Sequence, residues 1–143
     1  MPVRSFLIAS VGIAFLSIAH AANLSKEHRA EGEQLLQWSA AEMIKTLKDS
    51  ESSKFRDVYI RTTIGKNGNT YVGICGFINA KNSYGGYTGW QAWSASVLGN
   101  QGFKLFIGDD GLIEASVLCR TSVGYWDAKD YSDRMKKWVD TAN

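Results

Sequence analysis

Cys75 and Cys119 are the only cysteines in the chain, and whether they pair constrains how its middle can fold. The cellular compartment decides the question. The sequence opens MPVRSFLIASVGIAFLSIAHAANL, with Arg4 as a positive start, an apolar run over residues 6–18 and a small-x-small cut site at Ala19-His20-Ala21. That run is short for a bilayer span and a cleavage pattern follows it, so residues 1–21 read as a secretory signal peptide rather than an anchor. Residues 22–143 are then the mature chain. Two thiols in an oxidising compartment most simply form one disulfide; separate buried thiols and a bridge between chains are the competing readings. An internal bridge closes a loop of 44 residues and stabilises by about 4 kcal/mol on the chain-entropy model.

Removing 21 of 143 residues leaves 122, about one ordinary domain. Arg4 and His20 leave with the leader, so basic residues fall from 16 to 15 against 14 acidic ones. A nearly neutral chain lacks the concentrated basic face that nucleic acid requires. It also has no polybasic run for an anionic membrane, and no later segment apolar enough for stable membrane insertion.

The periodicity predicts an α+β domain. In the segment LSKEHRAEGEQLLQWSAAEMIKTLKDSES, Leu36, Ala40, Met43 and Leu47 form one apolar stripe with Leu35 and Ile44 beside them, so a first helix is expected. The serines and the aspartate of KDSESSK end it by competing for backbone hydrogen bonds. FRDVYIRTTI and TYVGICGFI then alternate like strands around Asn67-Gly68, a strong hairpin signal. The runs at residues 103–107 and 112–119 flank Gly-Asp-Asp-Gly, residues 108–111, and read as a second hairpin. The disulfide would tie one hairpin to the other. Asp127 is expected to cap a short C-terminal helix with Tyr131, Met135 and Trp138 on one face. The expected fold is a helix, an antiparallel sheet of about four to five strands, and a second helix.

The mature chain is poor in catalytic chemistry. Its single histidine, His28, lies near the mature N-terminus on the polar side of the first helix, where nothing holds an imidazole for nucleophilic catalysis. With the cysteines paired, too few ligands remain for a zinc site. No phosphate-binding glycine fingerprint opens a helix. No catalytic residue, metal or cofactor is assigned. Asp109 and Asp110 have turn chemistry as their simplest explanation; Glu114 and Asp57 read as surface carboxylates.

Residues 79–93, NAKNSYGGYTGWQAW, place Tyr84, Tyr87, Trp90 and Trp93 three residues apart among glycines. A period of three cannot keep four rings on one face of a sheet. Trp93, alternating with Ala95 and Val97, is expected to point inward. Tyr84, Tyr87 and Trp90 are candidate contact residues, since tyrosine offers large area with a polar handle at low entropic cost. Asn79, Lys81 and Asn82 beside them form a candidate polar site, although asparagines in such loops often bond their own backbone. Arg56 is a further candidate.

Two stretches, DSESSKFRDV and CGFINAKNSYGGYTGWQAW, carry a resemblance. They are similar to a set of small bacterial proteins, many with signal peptides, that share Ser-x-x-Phe-Arg followed by Cys-Gly-x-x-Asn-x-Lys-Asn-x-x-Gly-Gly-Tyr. The matching positions are Phe55, Arg56, Cys75, Gly76, Asn79, Lys81, Asn82, Gly85, Gly86 and Tyr87. Many members have an acidic residue after Cys-Gly, where Phe77 stands here. The resemblance implies a bacterial envelope setting, periplasmic or secreted, and transfers no activity. The combined expectation is a non-enzymatic protein, inhibitor- or immunity-like in class, that binds a protein or cell-wall partner. The alternative is a small carboxylate-dependent hydrolase of envelope glycan or peptide.

Overall fold

The computed structural model describes residues 24–108, Cys119 and residues 127–141. Ser25 begins the first helix by accepting a 3.1 Å hydrogen bond from the His28 backbone N–H, which satisfies one orphan donor of α1, Lys26–Thr46. Leu35, Leu36, Ala40 and Met43 are buried along one stripe, with Ile44 and Leu47 partly buried beside them. Asp49 then accepts from the Ser52 N–H at 3.0 Å, drawing the backbone into a turn instead of a further helical one.

Four strands follow: β1 Lys54–Ile64, β2 Thr70–Asn79, β3 Gln91–Val97 and β4 Phe103–Ile107. They form an antiparallel meander in the order β1-β2-β3-β4. The β1–β2 hairpin turns at Asn67-Gly68, where Gly68 takes φ 79° and the Asn67 side chain accepts from the Asn69 N–H at 3.0 Å. Only the glycine of the pair has positive φ, so this is a longer turn than the two-residue type the pair favours.

β4 pairs with β3 across residues 98–102, where Gly99 and Gly102 have positive φ. Residues 112–118, expected as its partner, lie outside the described residues, and Cys119 has helical rather than extended backbone. The Cys75–Cys119 disulfide is formed, with Cα atoms 6.1 Å apart. It therefore joins the interior strand β2 to a helical residue beyond β4.

The last helix, α2, spans Ser132–Thr141. Asp127 does not cap it. The turn before α2 is held by Asp130, which accepts from the Ser132 N–H at 2.8 Å. Tyr131, Met135 and Val139 form the buried face, and Trp138 packs at its margin, so the expected face is rotated.

Both helices pack on one face of the sheet, against Val58, Ile60, Val72, Ile74 and Ala95. Two glycines make room for large neighbouring side chains. A Cβ on Gly32 of α1 would overlap the Ile60 side chain, and one on Gly76 would lie 2.8 Å from Trp93 Nε1. Trp93 is fully buried, as its alternation implies.

A β-bulge in β1 determines what the opposite face displays. Arg56 pairs with Phe77 and Tyr59 with Cys75, so Asp57 and Val58 together oppose Gly76. Asp57 takes φ 52° there. The extra residue reverses the side-chain alternation. Beyond the bulge, Ile60 and Thr62 face the helices; before it, Lys54 and Arg56 face away from them, on the side of Phe77.

Candidate functional site

The loop joining β2 to β3 is built from its own asparagines. Asn82 Oδ1 accepts from the backbone N–H groups of Tyr84 and Gly86 at 3.0 and 3.1 Å, while its own N–H donates to the Gly86 carbonyl at 2.8 Å. Asn79 Oδ1 accepts from the Gly89 N–H at 3.1 Å. Gly85 takes φ 80° at the apex, a conformation that costs glycine least. Asn79 and Asn82 thus hold the loop through their side-chain oxygens. Tyr84, at the tip, is 97% exposed.

Tyr87 is anchored. Its hydroxyl donates to the Ser52 carbonyl at 3.0 Å, and the ammonium groups of Lys54 and Lys81 lie 4.6 and 5.6 Å from its ring centre. Lys81 also pairs with Asp49 at 3.3 Å. The hydrogen bonds from Ser52, with those from Lys81, hold the Asp49 carboxyl below the ordinary carboxylate range. Lys81 and Tyr87 therefore tie the loop to the turn that follows α1.

Arg56 completes the site. Its guanidinium lies 4.5 Å from the ring centre of Trp90 and 5.1 Å from that of Phe77, cation–π distances that orient a flexible cation. Trp90 and Phe77 remain 40% and 36% exposed. The bulge, the β2 register and the end of the loop meet here. Arg56, Trp90, Tyr87 and Lys81 form one neighbourhood, with Tyr84 projecting from it.

Lys54 and Phe77 are site residues that the sequence reading missed. The period-two spacing of Lys54 and Arg56 was one available signal. Another was Phe77, two residues from Cys75 and so on the disulfide's side of β2. Phe77 lies against the Arg56 guanidinium, 5.1 Å from ring centre to cation. A carboxylate there would neutralise Arg56; the phenyl ring instead supports it and leaves the charge in place.

The rest of the molecule offers less. His28 sits partly buried in the first turn of α1. Asp109, Asp110 and Glu114, considered for hydrolysis, lie outside the described residues. Asp127 is buried, and its carboxylate accepts from the Tyr131 hydroxyl at 2.6 Å and Arg29 Nε at 3.1 Å. Burial alone would raise its pKa, but the Tyr131 and Lys129 hydrogen bonds and Arg29 outweigh that and hold it below the usual range. Burial and the neighbouring Asp127 push the Tyr131 phenol up. No group of three or more metal-ligating side chains occurs among the described residues, and no helix among them is long and apolar enough to cross a membrane.

Among known proteins, no family model, curated protein or solved structure matches this chain.

Proposed function

We propose that this chain is an exported envelope protein that works by binding a partner through residues 79–90 and the adjoining Arg56–Phe77 surface. In this reading, residues 1–21 are the signal peptide and the protein belongs with the exported bacterial proteins that share its loop pattern. The observation that carries the proposal is an internally hydrogen-bonded loop with a nearly naked tyrosine at its tip and two further exposed rings at its base. Hydrophobic side chains of that size are rarely left in water together without a partner, and preorganisation lowers the entropic cost of binding. The residues of the pattern support the same reading. Cys75 fixes β2, Gly76 admits Trp93, Asn79 and Asn82 lock the loop, Lys81 and Tyr87 anchor it, and Arg56 lies on its rings.

The test is capture from envelope extract by the immobilised, oxidised protein. Tyr84→Ala and Trp90→Ala are each expected to weaken partner retention by about tenfold or more, as central aromatic anchors do. The melting temperature of Tyr84→Ala should stay nearly unchanged. Turnover of peptidoglycan fragments that disappears with one Asp or Glu substitution would replace this reading with hydrolysis.

A further inference from the structure

The cations around the loop narrow the choice of partner. Lys54 and Arg56 lie two residues apart on one face of β1, in a regular stretch where Lys54, Phe55 and Arg56 pair with Asn79, Ile78 and Phe77. That places their stems about 7 Å apart, the spacing of alternate side chains in an extended peptide. Each charge rests on a ring: Lys54 on Tyr87, Arg56 on Trp90 and Phe77.

Each of these rings carries a cation over one face, so a partner meets charge here as well as ring. The cations are also incompletely neutralised. Arg56 Nε is 3.7 Å from Asp57 Oδ2, beyond hydrogen-bond distance, and its side chain is about half exposed. Lys54 makes no ion pair among the described residues, while Lys81 is already engaged by Asp49. A planar guanidinium held by aromatic rings keeps its donor edges available, and those edges match a carboxylate bidentately.

We propose that this surface reads carboxylates at alternate positions of an acidic, extended segment of a partner protein, with Arg56 and Lys54 as the two reading residues. The proposal rests on the binding role given above and specifies its ligand. Exposed charges contribute modestly to affinity and strongly to selectivity, so discrimination between acidic and neutral peptides is the property to measure.

The probes are fluorescein-labelled hexaglutamate and hexaglutamine, followed by anisotropy with the full oxidised mature protein. Hexaglutamate should bind and hexaglutamine should not, with affinity falling as salt is raised. Arg56→Gln and Lys54→Gln should each weaken hexaglutamate binding about three- to fivefold. Arg56→Lys should recover only part of the loss, because it restores charge without the planar fork. Circular dichroism and intact mass confirm that each variant is folded and bridged. Equal binding of the two peptides, binding of neither, or full affinity in both Gln variants overturns the proposal. Retention on purified peptidoglycan that depends on Trp90, with no hexaglutamate binding, also overturns it while leaving a partner-binding role intact. Loss of both retention and partner capture would remove the two together.

Discussion

Asp127 shows how much one side chain can hold together. It lies 98 residues from Arg29 in sequence yet joins α1, the approach to α2 and the Tyr131 phenol around one carboxylate. Because its folded pKa is depressed, the stability it contributes is complete above the unfolded value near pH 4. That contribution is lost as pH falls through the lower folded value. Melting temperatures of wild type should therefore drop on acidification more steeply than those of Asp127→Asn. At neutral pH the substitution should cost about 1–3 kcal/mol, the usual penalty for disturbing a buried polar network, measurable by urea unfolding. Local rules read Asp127 as a helix cap because an aspartate before a helical pattern is usually one. They contain no term for an arginine from the other end of the chain.

At the scale of elements, the loop between β2 and β3 depends on one amide. Asn82→Ala removes two hydrogen bonds to the loop backbone while leaving the core untouched. It should cost about 1 kcal/mol in unfolding free energy and speed amide exchange at Tyr84 and Gly86, and it should weaken partner binding without altering any ring. Exchange at those amides unchanged from wild type would show the loop to be held by other means.

Legibility followed the range of the interactions involved. The first helix, the Asn67-Gly68 turn and the inward Trp93 were readable because each is dictated by neighbours in sequence. The β3–β4 pairing was not, since the turn at Gly99 and Gly102 lacks a comparable short signature. The Arg56 stack was hidden for a related reason. A bulge at Asp57 reverses the alternation of β1, so no uniform period through the strand reveals which face Arg56 occupies.

At the scale of the molecule, helices cover one face of the sheet and the disulfide is rooted in the other. Cys75, Ser94 and Ser96 are buried on that second face together with Arg61, whose guanidinium pKa burial lowers. Replacing both cysteines with serine should cost about 2–4 kcal/mol, read as a shift in the urea midpoint. The loss should be matched by adding reductant to wild type. A reduced chain as stable as the oxidised one would mean that packing alone holds residue 119 in place.

The outer edge of β1 is occupied from within the chain. The Val58 carbonyl accepts from the Tyr131 N–H at 2.8 Å and the Ile60 carbonyl from the Asp127 N–H at 3.0 Å, while the Val58 N–H meets Asp130 Oδ1 at 3.3 Å. An open strand margin is a template on which copies zip into fibres. Here the tail already occupies that template at Val58 and Ile60, so neighbours find nothing to extend along that stretch. A protease nick ahead of residue 127 would lift the seal and turn the same margin into a seed.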